Sequence, residues 1–369
     1  MPGSAARRFV AALFSPLPVV GALAVAVNAA LVAPGIPGSV VRAAGITALV
    51  LSAALAAIAV HDAAHWITAR ALGFRTIEAT IGVFTFAPSR RGLLVRAVRT
   101  WSGLRAALIV EPRGERRMNA RWALVAASGP AASLLLGILL LDAAPAIAIA
   151  SLVRFTLAAL PMGVRGVPND GAQVLVLLAG GAAADRLTAL TRIAAAQRAG
   201  VRPRAWPEVW ITEATALHDG TAAEALACVA SFRRALDGCA HYRAAALLDR
   251  ALALRAMLPR AAACALLADA AYFEARIHDD PDRARLWLDE AAARRPACPV
   301  AERRASAAVL IAAGDLAGGA VAAREALEQL DRVEREERRS MPMEADWLHE
   351  MLARAECASV FPAEFLAAS

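Results

Sequence analysis

Residues 44–72 read AGITALVLSAALAAIAVHDAAHWITARAL. Nothing from Ala44 to Val60 is charged, while the last turns carry His61, Asp62, His65 and Arg70. An uncharged run of this length predicts a helix that crosses a bilayer, at about 1.5 Å of rise per residue. Ionisable groups near the end of such a helix are costly, and they mark function. Three further runs have the same character, at about 9–32, 122–141 and 144–162, the last interrupted by Arg154. A shorter apolar stretch covers 172–184. Across 369 residues, 59% are hydrophobic and only 20% charged, with mean hydropathy +0.49. That balance excludes both an ordinary soluble protein and a disordered chain.

The formal net charge is +7, and with no Lys in the chain all 40 basic residues are Arg. Aromatic and basic residues do not interleave, so no nucleic-acid partner is expected. The Arg residues sort by loop instead. Arg75, Arg90, Arg91, Arg96, Arg99, Arg105, Arg113, Arg116, Arg117 and Arg121 lie between the second and third runs, whereas the loop 33–43 has only Arg42. The positive-inside rule then places the N-terminus and the Arg-rich loop in the cytoplasm. Four spans return the second half there too. All five Cys (Cys228, Cys239, Cys264, Cys298, Cys357) lie in that half, odd in number and without zinc-ribbon spacing. Free thiols in a reducing compartment agree with that placement. The expected location is the cell membrane, multi-pass, with the lipid bilayer itself a partner.

Within the Arg-rich loop, Thr76–Phe86, Leu93–Val98 and Ala107–Val110 read as short strands of a cytoplasmic hairpin or sheet. Glu78, Glu111 and Glu115 are expected as surface ion-pair partners, and Arg154 as a residue that snorkels or pairs with Asp142. From Trp206 the chain turns amphipathic and Ala-rich. Ala284, Leu288, Ala291 and Pro296 follow the spacing of the second helix of a tetratricopeptide repeat; Ala244, Leu248 and Ala251, and Gly319, Ala323 and Ala326, repeat its first three positions. A generic helical bundle is the alternative. The expected fold is mainly α: a polytopic transmembrane domain (1–185) with a short β insertion, a linker (186–205), and a soluble helical-repeat, tetratricopeptide-like domain (206–369).

His61 and His65 stand four apart, so on a helix both imidazoles share a face and can reach one ion. Imidazole nitrogen suits zinc. Beyond the fourth run comes Pro168-Asn169-Asp170-Gly171, where the chain re-emerges on the side to which the histidines belong. Gly171 permits a tight turn or close backbone approach beside the carboxylate. The remaining His218, His241, His278 and His349 lack ligand spacing.

With Ser128-Gly129-Pro130-Ala131-Ala132-Ser133 between these two segments, the ordered set resembles the site-2 protease family of intramembrane zinc metallopeptidases. The resemblance covers about residues 40–185. It implies that His61, His65 and Asp170 hold Zn2+ and that Asp62 stands where the family has the Glu of HExxH, the general base. Asp62 is one methylene shorter than that Glu. Ser133 replaces an Asn that helps hold substrate, and Asn169 replaces a Leu. Asn169 is read evenly as a group that orients Asp170 or bonds substrate backbone, or as a turn residue. The implied activity is hydrolysis of peptide bonds in membrane-embedded or membrane-associated substrates, with a protein partner on the repeat domain. The alternative is a zinc-binding, catalytically weak pseudoprotease that acts as a membrane scaffold. A transporter would carry symmetry between membrane halves, and none is visible.

Overall fold

A computed structural model of the chain describes residues 38–89, 92–97, 108–114, 117–164, 167–294, 299–333 and 338–360. The apolar run 9–32, Glu115, Pro296 and Cys298 lie outside the described residues. The chain is mainly helical with a small antiparallel sheet. It divides into two units, Met1–Val164 with Pro168–Ala184, and Arg165–Val167 with Asp185–Ser369.

The first unit contains helices α1 (Gly38–Ala71), α2 (Met118–Leu139), α3 (Pro145–Ala159) and α4 (Asp170–Ala179). Two of them, α1 and α2, are long and apolar enough to cross a membrane; α3 and α4 have 15 and 10 residues. Helix α3 is shorter than the expected span 144–162 because Pro161 holds Leu160 in extended backbone and ends it. The burial pattern is inverted relative to a water-soluble helix. Helix α1 buries His61, Asp62 and His65 along with Ala53, Ala57 and Ala69, while Ile46, Leu49, Val50 and Ile67 face outward. Small residues on the inner face let neighbouring helices approach closely. Helix α2 packs against α1, α3 and α4, and α1 also packs against α3.

Between α1 and α2 lie β1 (Phe74–Ile81), β2 (Phe84–Ser89), β3 (Gly92–Ala97) and β4 (Leu108–Pro112), ordered β3-β2-β1-β4 with every pair antiparallel. Alternation on β1 buries Thr76, Glu78 and Thr80. Trp66 of α1 donates through Nε1 to the Thr76 hydroxyl (3.1 Å), which ties the sheet to the helix. Arg121 donates to the Leu72 carbonyl at the end of α1 and stacks over Phe74. Glu111 pairs with Arg75 at the surface as expected, whereas Glu78 is buried beside Arg96, because the inward phase of β1 includes it.

In the second unit, residues 186–205, expected as a linker, are structured. Helix α5 (Gly181–Ala199) buries Ala189 and Ile193 against Trp206, Ile211, Ala214 and Ala227, and a 3-10 turn spans Pro203–Ala205. An apolar face interleaved with Arg residues hid this helix from composition. After α6 (Glu208–Thr215) come three successive helix pairs: α7 (Ala222–Asp237) with α8 (His241–Ala253), α9 (Arg260–Phe273) with α10 (Pro281–Arg294), and α11 (Pro299–Ala312) with α12 (Leu316–Arg332). Helix α13 (Glu344–Val360) packs on α12. The repeated small positions are contact positions: Ala244, Leu248, Ala251, Ala284, Ala291, Gly319, Ala323 and Ala326 are all buried. A Cβ at Gly319 would lie 2.4 Å from Ile311 Cγ1, so no larger residue fits there. Among the described residues Cys228, Cys239, Cys264 and Cys357 are free.

One buried ionic cluster ties these pairs together. Arg304, fully buried, donates to Asp269 (2.5 Å) and Glu344 (2.6 Å), and its guanidinium lies against the Tyr272 and Trp347 rings. Arg233 donates to the other Asp269 oxygen at 2.9 Å. Burial alone would raise Asp269, but the Arg233 and Arg304 charges outweigh it and hold the carboxyl below its usual range. Glu344 behaves oppositely: burial pushes it up despite Arg304. Asp269 therefore contributes stability that is complete above its unfolded pKa, near 3.8, and is lost as pH falls through its lower folded value. Asp269→Asn should cost about 3–5 kcal/mol at pH 7 by stranding two cations. It should also flatten the loss of stability in acid. Glu344→Gln should cost less at pH 7, because burial already disfavours the Glu344 charge. Thermal unfolding followed in the near-UV, where Tyr272 and Trp347 report, checks both.

Candidate metal centre

Helix α1 places His61 and His65 on its buried face, one turn apart, with rings edge to face. Asp170 opens helix α4. The three side chains converge: His61 Nε2 to Asp170 Oδ2 is 3.1 Å, His61 Nε2 to His65 Nε2 is 3.1 Å, and His65 Nε2 to Asp170 Oδ2 is 3.5 Å. A tetrahedral zinc ion with bonds of about 2.0–2.1 Å separates neighbouring donor atoms by about 3.3 Å. The three distances observed are the edges of such a tetrahedron's face.

The outer nitrogens of the histidines are both engaged. His65 Nδ1 lies 2.6 Å from the Val125 carbonyl, so Nδ1 carries the proton and Nε2 offers a lone pair. His61 Nδ1 meets the Ser133 hydroxyl at 2.9 Å. Partners of this kind orient metal-binding imidazoles and set their tautomer. With neutral histidines, two lone pairs and a carboxylate then face one another in a buried site. Only a cation or a shared proton makes that arrangement favourable.

Two glycines clear the space. A Cβ on Gly129 would stand 2.2 Å from His65 Nε2 and 2.7 Å from His61 Nε2. Helix α2 thus presents bare backbone where the imidazoles sit. A Cβ on Gly171 would meet the Ala159 carbonyl oxygen at 2.1 Å, so glycine is what lets the start of α4, and Asp170 with it, lie against the end of α3.

Asn169 is a structural pin. Its Oδ1 accepts from the amides of Ala172 and Met162, and its Nδ2 donates to the carbonyls of Leu157 and Leu160. The turn-residue reading applies, since the side chain is fully used in joining α3 to α4. Ser133, expected to bind substrate or to orient the site, is buried against His61, because the turn of α2 that carries it faces α1. Asp62 is buried beside the cluster in sequence but is not one of its three ligand groups. One of its oxygens accepts from the Gly82 amide at the β1–β2 turn (3.2 Å), and the other is shielded from solvent with no hydrogen-bond partner. Arg154 forms no pair with Asp142, which is exposed; Arg154 is half-buried, and its charge acts on both His61 and Asp62.

Sequence reasoning missed Gly82, Val125 and the placement of Arg154. Gly82 carries a turn signal but nothing that predicts a reach to Asp62. Val125 acts through its backbone carbonyl, which no residue type announces. No family model, curated protein or solved structure matches the chain. The site is therefore interpreted from its own chemistry: two imidazoles and a carboxylate suit Zn2+ better than a hard cation that demands oxygen.

Detergent-solubilised protein should take up about one zinc per chain. His65→Ala and Asp170→Ala should abolish uptake, and Ser133→Ala should weaken affinity by about 10–100-fold. Elemental analysis after dialysis against a zinc buffer checks this, and a wild-type protein that stays metal-free would refute the centre.

Proposed function

We propose that the chain is an intramembrane zinc metalloprotease of the site-2 protease type, hydrolysing peptide bonds of membrane-embedded or membrane-associated substrates. The observation that carries this reading is the convergence of His61, His65 and Asp170 on apolar helices, with Asp62 adjoining. Zinc bound there would polarise the substrate carbonyl and make water a nucleophile at neutral pH.

The chain's own residues would do the rest. Asp62 has a carboxylate oxygen free of protein partners, suited to take a proton from water and pass it to the leaving amine. The Gly82 amide steadies the other oxygen and limits the side chain's motion. The Val125 carbonyl holds His65 in the ligating tautomer, and the Ser133 hydroxyl fixes the orientation of the His61 ring. Helices whose polar groups point inward and whose Leu, Ile and Val point outward fit a lipid surround, which supports a multi-pass reading. In that reading α3 and α4 complete the bundle beside α1 and α2, and the N-terminus and residues 206–369 lie in the cytoplasm. The stacked helix pairs, tetratricopeptide-like in spacing, would bind a protein partner or a substrate tail.

The scaffold reading has one observation in its favour, the short reach of Asp62 with one oxygen already engaged at Gly82. Both readings are tested with zinc-loaded protein in liposomes and a panel of transmembrane peptides. Cleavage should be lost with a zinc chelator, restored by zinc, and reduced by about 100-fold or more in Asp62→Asn. Zinc binding without cleavage in the wild type, with a large gain in Asp62→Glu, would establish the scaffold. Zinc binding with no cleavage by either would refute the protease reading.

A further inference from the structure

Arg154 is the only charged residue in helix α3. It lies three residues after Ser151 and four before Ala158, both buried, so it belongs to the face that α3 turns inward. Helix α3 packs against α1, which carries His61 and His65, and against α2, which carries Gly129. The Arg154 Nε and the Ser151 hydroxyl are both shielded from solvent, and neither has a hydrogen-bond partner. A guanidinium cannot shed its proton, so burial does not neutralise it. A half-buried cation among apolar helices, with Asp62 near in charge but no hydrogen-bonded counter-ion, keeps its donor groups available to a partner from outside the chain.

Charge balance indicates what that partner is. A divalent ion at His61, His65 and Asp170 is matched by the Asp62 and Asp170 carboxylates. Arg154 then leaves one positive charge over. The group it lacks is an anionic oxygen, supplied by whatever occupies the site.

We propose that Arg154 is a catalytic residue, the donor to the reacting carbonyl oxygen of a bound peptide; this rests on the protease reading above. When water adds to the carbonyl carbon, a new C–O bond forms and the carbonyl π pair moves onto oxygen. One water proton goes to Asp62. Arg154 holds the oxygen's new negative charge through its N–H groups. Collapse re-forms the carbonyl and breaks the C–N bond, and the proton on Asp62 passes to the departing amine. Donors aimed at such an oxygen stabilise the transition state more than the substrate.

The test uses full-length, zinc-loaded protein in detergent and a phosphinate pseudopeptide flanked by alanines, whose anionic oxygens mimic the tetrahedral intermediate. Calorimetry measures its binding beside that of the parent amide peptide, and zinc content is measured on the same samples. Arg154→Gln should keep its zinc and its affinity for the amide but lose about 100-fold in phosphinate affinity. Arg154→Lys, which keeps the charge, should lose no more than about tenfold. Unchanged phosphinate binding by zinc-loaded Arg154→Gln, or no phosphinate binding by the zinc-loaded wild type, would overturn the assignment. Loss of zinc in both variants would overturn it too, making Arg154 a structural residue. A wild type that takes up no zinc would bring down the underlying metalloprotease reading, and this assignment with it.

Discussion

Three acceptor atoms from His61, His65 and Asp170 meet inside a bundle of apolar helices, and their mutual repulsion must be overcome by a cation or a shared proton. Most of the local structure in the first unit serves that meeting. Gly129 removes the one side chain that would occupy the imidazoles' place. Gly171 lets the start of α4 lie against the end of α3, and Asn169 locks that junction with four hydrogen bonds. Ser133 and the Val125 carbonyl turn both histidines so that Nε2 points at the shared position. Helix α2 thus contributes a hydroxyl, a carbonyl and an absence of side chain, with no ligand of its own.

The sheet between α1 and α2 is part of the same arrangement. Its β1–β2 turn brings the Gly82 amide to Asp62, so a backbone donor from the sheet holds a carboxylate on helix α1. Asp is short, and a donor this close restricts it further. In the proposed mechanism that restriction replaces the reach a Glu would have, and the remaining oxygen is left for proton transfer. Arg154 adds a fixed positive charge from α3. In that proposal α1 would supply two ligands and the base, α2 their orientation, α3 a positive charge and α4 the third ligand.

The second unit handles buried charge differently. Its helices stack through alanine and glycine contacts beside larger buried side chains such as Phe232, Leu266, Phe273 and Leu348. Arg304 adds a long side chain between two aromatic rings, and Asp269 and Glu344 satisfy its donors. Stability there depends on the complete cluster, since a buried ion pair is worth little more than an apolar pair but costs heavily when one member is missing.

Periodicity and spacing alone reach a long way into this protein. The helical character of 44–72 and 122–141, the shared face of His61 and His65, and the small contact positions from Ala244 to Ala326 all follow from local geometry, because a helix converts spacing directly into facing. Asp170 was legible as a ligand candidate through chain order. What packing decided is of another kind. Residues 186–205 are structured because Ala189 and Ile193 find Trp206 and Ile211; Glu78 is buried by the phase of its strand; Ser133 serves His61 because of how α2 lies on α1. Gly82, Val125 and Arg154 act through a backbone amide, a backbone carbonyl and a long-range charge. None of these has a signature in residue type, since each depends on which segments distant in the chain come to lie side by side.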